Sequence, residues 1–276
     1  MSWVPAAGVH AIETVAVSFV YAEHVTTKSI NKLSSDLRDS YGKFKLSKPK
    51  PIARLNVEVK LPEGADELNA KTPASRVQTP EIVGWKFGDD NSGNFDGEIL
   101  TLATDQVQYV SNEYGSWTGL CTRLWFLLSE YLENSTDIAE IKAIKLEYKD
   151  RFVFEGPQEN ANVNEVLNLP GSAFPEGVFK AGLPWHLNRG WFEGNDNGII
   201  LLNLNLALGS VSRHDDPDVP LSSVAIATVA EVRLETTLDS VEQLKSELEK
   251  LHITSKETVI SAITGEAAEL VGLTNG

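Results

Sequence analysis

Apolar and polar residues alternate along several segments of the chain, a pattern typical of β-strands that bury one face. In residues 13–21 the alternate apolar side chains from Val15 to Tyr21 fall on one side of the predicted strand. Turns rich in Asp, Asn and Gly at residues 88–93 and 193–198 predict two hairpins. The same alternation predicts further strands at residues 55–61, 82–87, 97–104, 106–110, 144–154, 187–192, 199–208 and 224–236.

Apolar residues three and four positions apart predict a long helix over residues 117–132. Leu124 and Leu128 lie on its apolar stripe and are expected to be buried in the core. A second long helix is predicted near the C-terminus, where Asp239 and Glu242 have the spacing of a capping box.

The order of predicted elements in the first half of the chain is repeated in the second half. Trp85 and Trp191 lie in corresponding hairpins, and each hairpin is followed by a strand region and a long helix. This order predicts an α+β fold, an internal duplication of a β-α-β-β-β-α unit with antiparallel sheets packed by helices. The repeats are expected at residues 1–139 and 140–276, as two domains or as one continuous pseudo-symmetric domain. The alternative to a duplication is that the two hairpins are similar by chance, as hairpins in any antiparallel protein can be.

The composition is that of a compact globular protein with a surplus of acidic residues. The 276 residues are 42% hydrophobic and 23% charged, which excludes a disordered, collagenous or disulfide-rich chain. With 24 Lys and Arg against 39 Asp and Glu, the formal net charge is −15. Such a charge repels phosphate groups, so direct binding to nucleic acid or to anionic membranes is not expected. Two interpretations of this charge are open. It keeps the protein soluble, or it forms an acidic surface that binds a basic protein partner.

The sequence shows neither a signal peptide nor a membrane-spanning segment, and this determines the expected localisation. Residues 1–5 have neither the basic start nor the apolar stretch of a signal peptide, and no run reaches about 18 apolar residues, so a cytoplasmic protein is expected. Cys121 is the only cysteine, and its place in the apolar pattern of the long helix predicts a core residue rather than a nucleophile. The pattern does not fix the oligomeric state, and a homodimer is one possibility.

Familiar catalytic motifs are missing from the sequence. It contains no Walker A loop, Gly-x-Gly-x-x-Gly, His-Glu-x-x-His, Cys-x-x-Cys or Gly-x-Ser-x-Gly, and no cofactor is predicted. One loop combines His214 with Asp215, Asp216 and Asp218, and an imidazole with three carboxylates suits a divalent ion. The simpler interpretation is a charged turn, because Asp and Pro commonly set turns between strands.

Asp150 interrupts an otherwise apolar strand face. If Tyr148 and Phe152 share a face, alternation places Asp150 between them on that face. A buried carboxylate needs hydrogen-bond donors or a raised pKa, so Tyr148 and Asp150 are candidate ligand-binding or proton-transfer residues. The favoured interpretation is that the strand ends or bulges near Asp150 and turns this side chain to solvent. His252, near the predicted end of a helix, is assigned a structural role there as a cation.

Two long loops are predicted at residues 62–80 and 170–184, which are rich in Pro, Gly and polar residues. Trp185, in the segment Gly182-Leu-Pro-Trp-His186, is predicted to lie in a loop and is the best candidate for an exposed aromatic binding residue, with His186 beside it. Exposed tryptophans are enriched at the energetic centres of protein interfaces.

Three segments occur in a recognisable order: Tyr114-Gly-Ser-Trp117, Leu146-Glu-Tyr-Lys-Asp150, and Leu251-His252 with Ile263-Thr264. They resemble a sporadically distributed, uncharacterised bacterial protein family. Its members carry a Tyr-x-x-Trp helix start, a Leu-x-Tyr-x-Asn strand and a C-terminal Leu-His followed by an Ile-Thr-bearing helix. Asp150 stands where the family usually has Asn, and Leu120 where it usually has Phe. The resemblance implies bacterial origin and a shared fold, and it carries no activity.

Two functions are consistent with these features. The first is a non-enzymatic cytoplasmic bacterial binding or regulatory protein that recognises or neutralises a basic protein through an acidic surface. The second is a metal-dependent hydrolase that uses the loop of His214, Asp215, Asp216 and Asp218. The absence of catalytic motifs favours the first.

Overall fold

A computed structural model describes residues 2–8, 10–60, 75–88, 97–136, 140–168, 183–212, 220–238 and 240–273. The described residues form ten strands: β1 (Trp3–Pro5), β2 (Ile12–Tyr21), β3 (Lys50–Lys60), β4 (Ser75–Phe87), β5 (Glu98–Ala103), β6 (Gln106–Ser111), β7 (Ile141–Phe154), β8 (Trp185–Asn195), β9 (Gly198–Ser212) and β10 (Pro220–Leu234). The helices are α1 (Thr27–Leu33), α2 (Ser35–Asp39), α3 (Trp117–Thr136), α4 (Val241–Ala262) and α5 (Gly265–Leu270).

All ten strands belong to one antiparallel sheet with the order β3-β4-β5-β6-β2-β7-β10-β9-β8, and β1 pairs with the end of β7. β2 and β7 lie next to each other in the middle of the sheet, where Val17 is opposite Leu146. The β2–β7 pairing joins residues 1–139 and 140–276 in a single sheet.

The predicted fold class is wrong. About 45% of the chain is strand and about 30% is helix, so the protein is a β-dominated fold rather than a duplicated α+β unit. Where the first half has α1 and α2 after its first long strand, the described part of the second half has two short 3₁₀ turns, at residues 158–160 and 163–165. The similarity of the Trp85 and Trp191 hairpins misled the prediction, because any run of antiparallel strands repeats the same alternation and the same turn residues.

Several local predictions also need correction. The segment 62–80 is not a loop throughout, because β4 begins at Ser75; residues 61–74 lie outside the described part. The residue that caps α4 is Ser240, whose side chain accepts from the backbone N–H of Gln243, rather than Asp239, which is not described. Asp and Ser are almost equally good caps, so the sequence does not distinguish neighbouring candidates.

The helices cover one face of the sheet and enclose two hydrophobic clusters there. The first hydrophobic cluster includes Phe19 of β2, Leu124 and Leu128 of α3, and Leu248 of α4. The second hydrophobic cluster lies further along β7 and β10 and includes Trp3, Phe152, Phe154, Ile226 and Val259. In the described part of the chain, no helix is long and apolar enough to cross a membrane.

The opposite face of the sheet carries charged side chains paired across or along the strands. Arg151 of β7 donates to Glu13 of β2 at 2.8 Å, and Lys145 lies 3.0 Å from Glu147 on β7. Arg233 on β10 contacts Glu231 at 2.8 Å. Antiparallel sheets commonly leave one face in water, and these pairs fit that arrangement.

A buried carboxylate fixes the tip of the β8–β9 hairpin onto α4. Glu247 is only 2% exposed and accepts hydrogen bonds from Asn195 (2.9 Å), Asn197 (2.5 Å) and Lys250 (2.8 Å). Burial by itself would raise the pKa of Glu247, but these three hydrogen bonds outweigh it and lower the pKa. The hairpin is therefore held by an ionised group that α4 supplies.

Replacing Glu247 with Gln is expected to lower the free energy of unfolding by about 1–3 kcal/mol, because the amides of Asn195 and Asn197 and the ammonium group of Lys250 lose a buried, charged acceptor. Urea unfolding at neutral pH measures this loss. Glu242→Gln is the matched control: Glu242 pairs with Lys245 at the same spacing on α4, but its side chain is 79% exposed. Equal effects of the two variants would show that the hairpin does not depend on Glu247.

Candidate functional site

Residues from four distant segments meet on the helix-covered face of the sheet, and we call them the Tyr148 cluster. β7 supplies Tyr148 and Asp150, because its side chains alternate regularly from Ile144 to Phe154 and place both on the buried face. The segment that enters α3 supplies Tyr114 and Trp117, and the middle of α4 supplies His252. His10, which precedes β2, completes the cluster.

The rings of the Tyr148 cluster are in direct contact. The Tyr148 hydroxyl and His252 Nδ1 share a hydrogen bond of 2.9 Å. The His252 ring stacks on Trp117 with centroids 4.0 Å apart and an interplanar angle of 10°. Tyr114 meets Tyr148 edge to face at 6.0 Å, and His10 meets Tyr114 in the same way at 5.6 Å.

Burial keeps most ionisable groups of the cluster neutral near pH 7. Burial lowers the pKa of His252, and Lys256 acts in the same direction while Glu249 opposes it. Burial also raises the pKa of Tyr148 far above its usual range and that of Tyr114 to about 12. His252 is therefore a neutral hydrogen-bonding ring in the middle of α4, and the predicted role of a cation at a helix end is wrong.

Asp150 is buried, contrary to the favoured prediction. It is 7% exposed, and its Oδ2 has no hydrogen-bond partner among the described residues. Burial, with a smaller contribution from Glu13, raises the pKa of Asp150 to about 7. The pairing of β2 with β7 does shift register next to Asp150. The shift lies on β2, between Ile12 and Thr14, so β7 itself continues straight through Asp150.

Asp150 belongs to a polar layer between the two hydrophobic clusters. Thr228 of β10 is opposite Tyr148 in the sheet, and Ser255 lies one helical turn beyond His252 on α4. Both residues are at most 2% exposed, and neither hydroxyl has a hydrogen-bond partner within the described part of the chain. Buried polar atoms of this kind commonly bond an internal water molecule, so this layer is the least apolar part of the interior.

A cleft of about 710 Å³ opens beside the cluster, between the start of α3 and strands β5 and β6. Tyr114 lines this cleft and also contacts Tyr148, so it joins the cleft to the cluster. Inside the cleft, Glu98 accepts hydrogen bonds from the Tyr109 hydroxyl at 2.9 Å and from Arg123 Nε at 2.9 Å. A second Arg123 nitrogen also contacts Glu98, which makes the ion pair bidentate.

The four predicted binding residues do not form one site. Tyr148 and Asp150 lie together in the cluster, whereas Trp185 begins β8 rather than lying in a loop. Trp185 is half-buried and packs against the second hydrophobic cluster, so it is not an exposed anchor. His186 is exposed and, by strand alternation, lies on the opposite face of the sheet.

The predicted metal site lies outside the described residues, since His214, Asp215, Asp216 and Asp218 fall within 213–219. The metal-dependent hydrolase thus stays a prediction. Among the described residues, no group of three or more His, Cys, Asp and Glu is placed to hold a metal ion. Cys121 is half-buried beside the cluster, and burial raises the pKa of its thiol to about 11, so the thiolate form is rare at neutral pH.

Sequence reasoning missed the cleft, with Glu98, Arg123 and Glu113, and it missed His10. No motif marks these residues, and only the fold brings them together. Tyr114 and Trp117 were present in the sequence as motif residues without an assigned role.

Comparison with models of known protein families gives no match, and comparison with curated proteins finds no similar chain. The family resemblance therefore rests on the three motifs alone. Residues from two of those motifs and His252 from the third meet in the Tyr148 cluster.

Proposed function

We propose that the protein is a non-enzymatic binding protein of the bacterial cytoplasm that recognises a basic protein partner in the cleft beside α3. The observation that carries this proposal is the lining of the cleft. It combines two carboxylates, Glu98 and Glu113, and two cations, Lys45 and Arg123, with the rings of Tyr109 and Tyr114, in a chain of net charge −15.

The cleft suits an arginine or lysine side chain of a partner. Its volume of about 710 Å³ lies within the range of ligand sites, roughly 300–1,000 Å³. Aromatic rings favour the flat face of a guanidinium group, and carboxylates accept its N–H groups. Because Arg123 already neutralises Glu98, the exposed carboxylate of Glu113 is the group that would meet an incoming cation.

The chemistry of the interior supports binding over catalysis. Asp150 and Tyr148 are at most 7% exposed, and of the Tyr148 cluster only Tyr114 reaches the cleft. The described lining of the cleft contains no histidine and no cysteine. A substrate in the cleft would therefore not reach Asp150, the buried carboxyl whose pKa is raised towards neutrality, and such a raised pKa is a usual mark of an acid–base residue.

The acidic surplus would act before contact is made. A net charge of −15 produces a long-range field that accelerates encounter with a basic protein, and salt weakens that field. The cleft would then supply the specific contacts, because exposed ion pairs at a rim contribute little by themselves.

Binding of a fluorescent arginine-rich peptide tests this proposal. Glu113→Gln is expected to weaken the affinity about fivefold or more, because one charge-assisted hydrogen bond is lost. Glu130→Gln is the matched control, since it removes the same charge from an exposed position further along α3. The association rate of the wild type should fall as salt rises. Equal weakening by both variants, or a rate that salt does not change, would contradict the proposal.

A further inference from the structure

β8 forms one edge of the sheet, and within the described ranges it pairs only with β9. It is 11 residues long and contains neither proline nor lysine. The other edge strand, β3, carries Lys50, Pro51 and Arg54 along its exposed length. Proline and lysine hinder the pairing of an edge strand with another chain, so β3 is protected, whereas the two charged residues of β8, Arg189 and Glu193, have opposite signs and can pair with each other.

The turn that precedes β9 determines which backbone groups of β8 face outward. Asn195 and Gly198 are paired across a two-residue turn, and such turns close on a hydrogen-bonded pair. Hydrogen-bonded and non-hydrogen-bonded pairs then alternate along an antiparallel ladder. The even-numbered residues of β8, from His186 to Gly194, therefore direct their N–H and C=O groups away from β9.

The sequence of β8 is complementary to itself about Trp191. In an antiparallel pair centred on this residue, Arg189 of each copy lies opposite Glu193 of the other. On the other face, Phe192 of each copy lies opposite Gly190, a pairing in which an aromatic ring covers a strand glycine. The even residues form the hydrogen-bonded pairs in this register, which agrees with the groups that face outward.

We propose that two copies of the chain associate through antiparallel β8 strands, with Trp191 on the two-fold axis and one continuous sheet across the dimer. Within one chain, the side chains of Arg189, Trp191 and Glu193 already contact one another along the edge strand. Arg189 lies 4.9 Å over the Trp191 ring, and Trp191 Nε1 donates to Glu193 at 2.7 Å. These three residues form a row on one face, and the row of a second copy would run the opposite way.

Dimerisation would also cover apolar surface on the other face. Phe192 is 63% exposed on the edge strand, and Ile199 on β9 is 46% exposed beside it. In the sheet, β8 is separated from β6 by β9, β10, β7 and β2, so the β8 edge lies on the opposite side from the cleft beside α3. Dimerisation and cleft binding can therefore succeed or fail separately.

Sedimentation velocity of the full chain at micromolar concentration and physiological ionic strength tests the dimer. The wild type is expected to be dimeric, and Arg189→Glu or Glu193→Arg should raise the dimer dissociation constant at least about tenfold by placing like charges opposite each other. The combined variant R189E/E193R restores opposite charges in the same register and should dimerise within about threefold of the wild type.

Asn188→Pro gives a second test, because it removes an outward backbone N–H. The Asn188 side chain also donates to Asn205 on β9, so Asn188→Ala, which removes only that side-chain bond, is the matched control. Asn188→Pro should abolish dimerisation, whereas Asn188→Ala should still dimerise, and both should have the same thermal midpoint of unfolding at low concentration. A monomeric wild type overturns the proposal. So does a double variant that dissociates as readily as either single variant, since that result would exclude this register.

Discussion

Replacing Leu124 or Leu128 with alanine is expected to lower the free energy of unfolding by about 2–5 kcal/mol. Both side chains have no exposed surface and lie in the first hydrophobic cluster, between α3 and the sheet. Each replacement removes three buried carbon atoms and leaves a cavity that α3 cannot close, because the helix is 20 residues long and packs along its length.

Urea unfolding measures this loss, and Ile253→Ala is the control. Ile253 lies on α4 and is 49% exposed, so a branched apolar side chain is shortened without opening a cavity. The control should lose less than about 1 kcal/mol. A loss of that small size for Leu124→Ala and Leu128→Ala would show that this stripe of α3 is not part of the core.

Replacing Asp150 with asparagine is expected to stabilise the protein at pH 8 by about 2–4 kcal/mol and to have little effect near pH 4. In the folded protein the pKa of Asp150 is about 7, whereas an unfolded aspartate has its usual value of 3.8. Between these values the folded state retains a proton that the unfolded state has lost. The stabilisation that the protonated carboxyl provides is complete below about pH 4, falls as the pH rises and is lost above about pH 7.

Asparagine removes this dependence because it is neutral at every pH and has nearly the shape of a protonated carboxyl. The other ionisable groups near Asp150 do not produce the same loss of stability between pH 4 and pH 8. The pKa values of Tyr114 and Tyr148 lie far above this pH range, and the pKa of His252 is lowered rather than raised. Glu13 is the neighbouring carboxylate that adds to the raised pKa of Asp150.

Unfolding in urea at several pH values from 4 to 8 compares the two proteins. Asp105→Asn is the control, since Asp105 is an exposed aspartate in the turn between β5 and β6. Its unfolding free energy should run parallel to that of the wild type across the range. If the difference between Asp150→Asn and the wild type is also constant with pH, Asp150 does not hold a proton in the folded state.

The sequence alone identified most of the regular elements. Alternation predicted β2, β7 and both hairpins, and the spacing of apolar residues predicted α3 with Leu124 and Leu128 buried. These patterns are local, since the period of two or 3.6 residues follows from the geometry of a strand or a helix. The same alternation placed Asp150 on an apolar face, and the error came from assuming that the strand would end rather than bury a carboxyl.

Only the tertiary structure decided how the strands are ordered and which residues meet. Pairing of β2 with β7 makes one sheet, and it depends on contacts between residues more than 100 positions apart that no local pattern encodes. Packing of α4 on the sheet brings His252 to Tyr148 and Trp117, and packing of the start of α3 beside β5 and β6 forms the cleft around Glu98. The sequence by itself determined the elements and their buried faces, because those depend on neighbouring residues. The single sheet, the Tyr148 cluster and the raised pKa of Asp150 arise only when distant segments exclude water together.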